Sequence, residues 1–254
     1  MPSQRQSELP KPLKTFRTGV DRREIGGYYL RCELHRLLSD KRALRTLLES
    51  IEKLDEEIYW RFLAGISHTY RCNWVFWEVS NERYTWNEEQ LAVADLIMTG
   101  MGNGTEMTKF IRGIHGDTGR FLEILGEYRA GKTEGYPSYL GQIPNEPVDK
   151  EFATLLVRGR GGKLRMFDGM NRLIQQMANG AESIRAYRAV DNGGPDRRRV
   201  TVGPVLLLRE LDKASSDDET HQAIERTVRK LGEYATDGKS IIKHWEEYLD
   251  SRSR

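Results

Sequence analysis

Two short stretches of this chain hold residue types that bind phosphate. Residues 126–133 read GEYRAGKT, which fits GxxxxGK[ST]. In that pattern the backbone N–H groups of a glycine-rich turn surround the phosphates, a lysine reaches the terminal ones and a Ser/Thr hydroxyl holds magnesium. The chemistry requires a strand before the loop and a helix after it. Here Phe121, Leu122, Ile124, Leu125 and Tyr128 recur at helical spacing straight into the octet, from a start at Asp117. The segment that follows, EGYPSYLGQIPNEP, contains glycines and prolines that preclude a helix. Both flanks are inverted. Gly131 therefore reads as a helix C-cap and Lys132 as a solvated charge, and no P-loop is expected.

The second stretch is DGMNR at 168–172, and its flanks are those an anion site needs. ATLLVRGRGGKLRMFDG reads as two strands, 153–158 and 163–167, joined by a glycine-rich turn. MNRLIQQMANG places Met170, Leu173, Ile174 and Met177 on one helical face and stops at Asn179-Gly180; IRAYRAV is a third strand. A strand thus delivers Asp168-Gly169 to a helix N-terminus, where unpaired N–H groups and the positive end of the helix dipole attract an anion. Gly169 permits close backbone approach, Asn171 can donate a hydrogen bond, and Arg172 in the first turn can fork onto two phosphate oxygens. Asp168 can cap the helix or hold a metal bound to the phosphates. The plainer alternative makes Asp168 an N-cap, Gly169 a tight-turn residue and Arg172 a surface residue on an ordinary strand–helix unit.

GKLRMFDGMNRLIQQMANGAESIRAYRAV also resembles the core of the ParB/sulfiredoxin-like superfamily, in which a strand ends in a DGxxR-type motif followed by a helix, a glycine and a strand. The resemblance covers a short part of the 254 residues and rests on Asp168, Gly169, Arg172 and Gly180 with the apolar pattern. The chain has Asn171 where that family frequently has histidine. The resemblance implies a nucleotide of the ATP or CTP class, with magnesium, held at the helix N-terminus by Gly169, Asn171 and Arg172. Members use such phosphates for nucleotide-switched DNA clamping, for phosphorylation of free serine or for ATP-dependent sulfinic acid reduction. The implied activity is therefore nucleotide hydrolysis or phosphotransfer, with Asp168 as the candidate catalytic residue. The alternative function is a nucleic-acid-binding regulatory module without catalysis, and a third is a purely structural interaction protein.

Other groupings offer less. Cys32, His35, His68 and Cys72 form a CxxH…HxxxC set able in principle to ligate zinc, but buried Cys32 and surface histidines are the expected arrangement, with no metal. RGRGG (158–162) and DRRR (196–199) can track a nucleic-acid backbone, DNA or RNA, or stand as solvated loop charges. Trp74, Phe76 and Trp77 can stack bases or fill a core.

The elements that must position these residues follow from periodicity. Residues 1–20 are polar, basic and hold three prolines, and are expected to be a flexible arm. Leu44, Leu47, Leu48, Ile51, Leu54, Ile58 and Phe62 predict one long amphipathic helix over about residues 40–64. YRCNWVFWEVS predicts a strand or hairpin arm. TWNE at 85–88 reads as a capping box opening a helix with Leu91, Ala94 and Leu96, and NGTE at 103–106 repeats it for a helix with Met107, Phe110, Ile111 and Ile114 that Gly116 closes. NGGP at 192–195 predicts a hairpin into RRVTVGPVLLL. Ser216 with Glu219 caps a helix carrying Ala223, Ile224, Val228 and Leu231, and Ile241, Ile242, Trp245 and Leu249 mark the last.

The sum is an α+β protein: a helical N-terminal half and a small mixed β-sheet (about 153–208) covered by C-terminal helices. The expected divisions are the arm, a helical region at 21–135 and an α/β ParB-like core with C-terminal helices at 136–254. Lys+Arg 40 against Asp+Glu 38 leaves +2, so any basic surface must be local. No apolar run reaches the about 18 residues of a membrane helix, the N-terminus lacks a signal-peptide core, and two cysteines suit a reducing compartment. The expectation is a cytoplasmic protein with no membrane partner.

Overall fold

The computed structural model describes residues 9–37, 40–69, 73–99, 106–144, 146–148, 155–160, 162–199 and 202–252. In chain order the elements are β1 (Lys14–Arg17), α1 (Arg22–Leu37), α2 (Lys41–Glu52), α3 (Glu56–Thr69), α4 (Asn73–Val79), β2 (Tyr84–Ala92), a 3-10 turn (Val93–Asp95) and β3 (Leu96–Ile97). Then come α5 (Glu106–Gly113), α6 (Thr118–Arg129), a second 3-10 segment (Ser138–Gln142), β4 (Leu155–Arg160), β5 (Lys163–Asp168), α7 (Met170–Ala178) and β6 (Ser183–Asp191). Three helices finish the chain: α8 (Val202–Ala214), α9 (Asp218–Tyr234) and α10 (Gly238–Arg252). The class is α+β, as expected. The chain divides into two compact units, Met1–Asp21 with Thr85–Asp191 and Arg22–Tyr84 with Asn192–Arg254. Both are discontinuous, unlike the consecutive divisions read from the sequence.

The first unit holds a six-stranded sheet in the order β1-β2-β6-β4-β5-β3. β4 and β5 form an antiparallel hairpin (Val157 opposite Met166), and β4 runs parallel to β6 (Leu156 opposite Tyr187). β3 joins the edge parallel to β5. The sheet is wider than the predicted one and includes two segments read otherwise. Lys14–Arg17, inside the supposed flexible arm, pairs antiparallel with β2. TWNE opens no helix; it lies in β2, because Glu88 and Glu89 are matched across strands. Arg17 and Arg185 bind Glu88, and Arg188 binds Glu89, partners far apart in sequence. Those non-local pairs override the local cap signal.

One face of the sheet carries the core. Leu91, Val157, Leu164, Met166, Ile184 and Ala186 pack with Met107 and Ile111 of α5, Phe121, Ile124 and Leu125 of α6, and Leu173, Ile174 and Met177 of α7. These helices turn the predicted residues inward except Leu122 of α6, which is exposed, and Asp117 caps α6 by accepting from the Arg120 amide at 2.8 Å. The caps proposed at Asn103 to Thr105 and the residues 151–154 fall outside the described residues.

The second unit is helical. The single long helix expected at 40–64 is broken at Lys53–Asp55: Asp55 caps α3 through the Ile58 amide at 2.9 Å, while Arg23 binds the Glu52 and Leu54 carbonyls at the end of α2. The aromatic stretch read as a strand forms α4, where Val75, Phe76 and Val79 are buried and Phe76 lies 6.3 Å from Trp60. Tertiary packing outweighs β-propensity there. The second arm of the predicted hairpin is likewise helix: VGPVLLL belongs to α8, with Pro204 in the first turn, where its missing N–H costs no hydrogen bond. Asp217, one residue beyond the predicted Ser216, caps α9. Val205, Ile224, Val228, Ile241, Trp245 and Tyr248 join α8, α9 and α10 in one core.

Candidate functional site at the turn into α7

The GEYRAGKT octet ends α6. Gly131 has φ 96°; its amide donates to Tyr128 O at 3.0 Å and the Lys132 amide to Glu127 O at 3.1 Å. This is a Schellman end, in which the amides that would cradle a phosphate close the helix carbonyls instead. Lys132 is exposed, and the segment after it turns before the 3-10 residues Ser138–Gln142. The octet is a helix terminus.

At DGMNR the strand-to-helix delivery is present. β5 ends at Asp168, Gly169 sits at φ 99° and ψ 22°, and α7 begins at Met170. That left-handed backbone favours glycine. No side chain caps α7 at Gly169, so Asp168 is not the predicted cap. Its carboxylate instead forms an ion pair with Arg172, one turn on. The two side chains are 11% and 13% exposed, so Arg172 is no surface residue; the turn folds it back against the strand end. Asn171 is exposed, and its Oδ1 accepts from the Tyr139 hydroxyl at 3.0 Å. Asp168 and Arg172 therefore meet across the Gly169 turn, while Asn171 turns to Tyr139.

The stretch that reads as loop, 134–150, supplies what sequence reasoning missed. Tyr139 comes from its 3-10 turn, and the Glu146 carbonyl accepts from Gln175 Nε2 at 2.7 Å and Asn179 Nδ2 at 3.1 Å. Burial holds the Tyr139 hydroxyl above the usual phenol range, so it stays a protonated donor. The one signal for it was a tyrosine among glycine and proline. A magnesium ion here would take Asp168, whose carboxylate already binds Arg172, and most of its other oxygens from phosphate and water. Among the described residues no three His, Cys, Asp or Glu side chains gather where they could hold a metal.

The other groupings resolve differently. Cys32 is buried and His35 exposed, both on α1; Cys72 and the His68 side chain lie outside the described residues, as does the side chain of Trp74. Phe76 is core. Of the DRRR arginines, Arg197 is exposed and Arg198 pairs with the exposed Asp196, while Arg199 pairs with Glu56 at 2.5 Å and lies 5.3 Å over the Trp60 ring. In RGRGG, Arg158 is half-buried opposite Arg165, and Gly161 lies outside the described residues.

A second polar cluster was not singled out from sequence. Asp212 of α8, 2% exposed, accepts from His221 Nδ1 at 2.5 Å, from Tyr248 at 2.7 Å and from Arg252. Burial opposes its charge, but the Tyr248 and His221 hydrogen bonds and the Arg252 charge prevail and hold the carboxyl below the usual carboxylate range. His221 Nε2 meets Arg252 Nη2 at 3.3 Å. With both ring nitrogens engaged, the cluster acts as a clasp joining three helices.

Compared with known proteins, the chain matches no family model, no curated protein and no solved structure. Among the described residues no helix is long and apolar enough to cross a membrane.

Proposed function

We propose that this chain is a nucleotide-binding protein of ParB-like type whose phosphate site is the turn Asp168–Arg172, with hydrolysis or phosphotransfer as the activity that site would serve. One observation carries the reading: an α-helix start opened by a left-handed glycine and capped by no side chain adjoins a largely buried Asp168–Arg172 ion pair. Burying two charges costs desolvation free energy that an apolar pair would not. A turn that served packing alone would be met more simply by Ser, Thr or Asp accepting from the helix amides. The arrangement instead leaves the α7 amides to an external anion and holds the guanidinium beside them.

In this reading a phosphate oxygen sits at the α7 amides and the Arg172 guanidinium adds a charge-assisted contact. With Tyr139 donating to Asn171 Oδ1, the Asn171 amide nitrogen is the group that faces the ligand. Asp168 positions Arg172 and offers a carboxylate oxygen to a phosphate-bound magnesium. ATP and CTP with magnesium are the class to try first.

The test is thermal shift of wild type, Arg172→Lys and Asn171→Ala across a nucleotide panel. Arg172→Lys keeps the charge opposite Asp168 and loses the planar fork. Wild type should be stabilised by at least one nucleotide with magnesium, and each variant should bind about tenfold or more weakly. A wild type that no nucleotide shifts, or variants that keep the full shift, would defeat the proposal.

A further inference from the structure

A cationic and aromatic patch lies on the other end of the sheet, across β1, β2 and β6. The β1–β2 register slips between Thr15 (opposite Glu89) and Arg17 (opposite Glu88), a bulge that inserts Phe16. Phe16 and Arg17 consequently share neighbours. The Arg185 guanidinium of β6 lies 5.2 Å from the Phe16 ring centroid and the Lys14 ammonium 4.8 Å from it, while Arg17 and Arg185 both bind Glu88 of β2. Arg17 also reaches the Tyr187 hydroxyl at 3.5 Å.

Exposure separates the parts. Glu88 is 2% exposed, whereas Arg17 and Arg185 are 47% and 53% exposed, and Phe16 is 41% exposed. Glu88 is an anchor beneath the surface, and what it holds up to solvent is two guanidiniums, with Lys14 beside them and one aromatic ring among them. Lys14, Arg17 and Arg185 thus set three cations around the Phe16 ring and the buried Glu88. An exposed aromatic on a strand costs apolar hydration.

We propose that this patch binds single-stranded nucleic acid, one base stacking at Phe16 and adjacent phosphates lying on Lys14, Arg17 and Arg185. Base–aromatic stacking with flanking cations is the physical basis of sequence-tolerant single-strand binding. A duplex keeps its base faces covered and has nothing to place on Phe16, and an acidic peptide would use the cations without the ring. The site is separate from the α7 turn, so either proposal can fail while the other stands.

The test is fluorescence anisotropy of a labelled oligothymidylate of about 15 nucleotides with the full chain, titrated over a range of salt. Three phosphate contacts predict a log–log salt slope near −2, at roughly 0.7 per contact for single strands. Phe16→Ala should weaken binding about fivefold to hundredfold with the slope unchanged. Arg185→Ala should reduce the slope by about 0.7, while Arg17 still meets Glu88. Arg120→Ala, an exposed charge on α6, should change nothing, and Phe16→Ala should melt as wild type does. Absence of binding at low salt overturns the proposal, as does equal affinity for a duplex of the same length. So does binding indifferent to Phe16, or a Phe16 dependence found with phosphatidylserine vesicles and not with the oligomer.

Discussion

Arg172→Ala separates the structure from a reading of the sequence alone. By position, Arg172 is an exposed first-turn residue whose removal should scarcely affect folding. In the structure it is 13% exposed and paired with Asp168 at 11%. Removing one partner of a fully buried ion pair costs about 3–5 kcal/mol because the other charge is left uncompensated. Residual solvent at both side chains lowers this, to roughly 1.5–3 kcal/mol. Asp168→Ala should cost a similar amount, through the lost ion pair and not through a lost cap. The double variant Asp168→Ala, Arg172→Ala should recover about 1–2 kcal/mol relative to the sum of the singles, since coupling between contacting residues is of that order. Urea unfolding followed by circular dichroism gives all four corners of the cycle. Single variants within about 0.5 kcal/mol of wild type, or strict additivity, would refute the buried-pair argument and return the turn to an ordinary surface feature.

Lys132→Ala should leave both stability and nucleotide affinity at wild-type values, measured by urea unfolding and calorimetry, because the Gly131 and Lys132 amides close α6. Gly238→Ala should lower the melting temperature sharply: a Cβ there would stand 1.7 Å from the Gly232 carbonyl oxygen, forcing α9 and α10 apart at a cost of about 1–3 kcal/mol or more. Asp212 has a folded-state pKa below the ordinary value, so its contribution is fully present above the unfolded pKa of about 3.9 and is lost as pH falls through the folded value. Asp212→Asn should therefore lower stability at neutral pH and flatten the acid limb of a pH series of melting temperatures; an unchanged acid limb would count against the clasp.

What was legible in the sequence was local. β4, β5, α7 and β6 each announce themselves by short apolar runs closed with Asp168-Gly169 or Asn179-Gly180, and the end of α6 is written in Gly131. The class followed from these and from helices whose apolar faces have period 3.6. What escaped depended on partners distant in the chain. Glu88 and Glu89 look like surface residues of a capped helix until Arg17, Arg185 and Arg188 are brought across the sheet to them. The aromatic stretch of α4 has strand propensity and becomes helix because Trp60 and the α1–α3 surfaces bury it. At the site, residue identities were readable but their relations were not. Nothing in DGMNR says that Asp168 turns to Arg172 rather than to the helix amides, or that Tyr139 arrives from a loop to fix Asn171.

Nitrogen-15 amide spectra of the wild-type chain, titrated with ATP and with CTP in the presence of magnesium, test the central claim most directly. A phosphate at the start of α7 predicts saturable shifts of the Gly169, Met170, Asn171 and Arg172 amides, with Gly131 and Lys132 unmoved. No shift in that set with either nucleotide, or shifts centred on residues 131–133 instead, would contradict it.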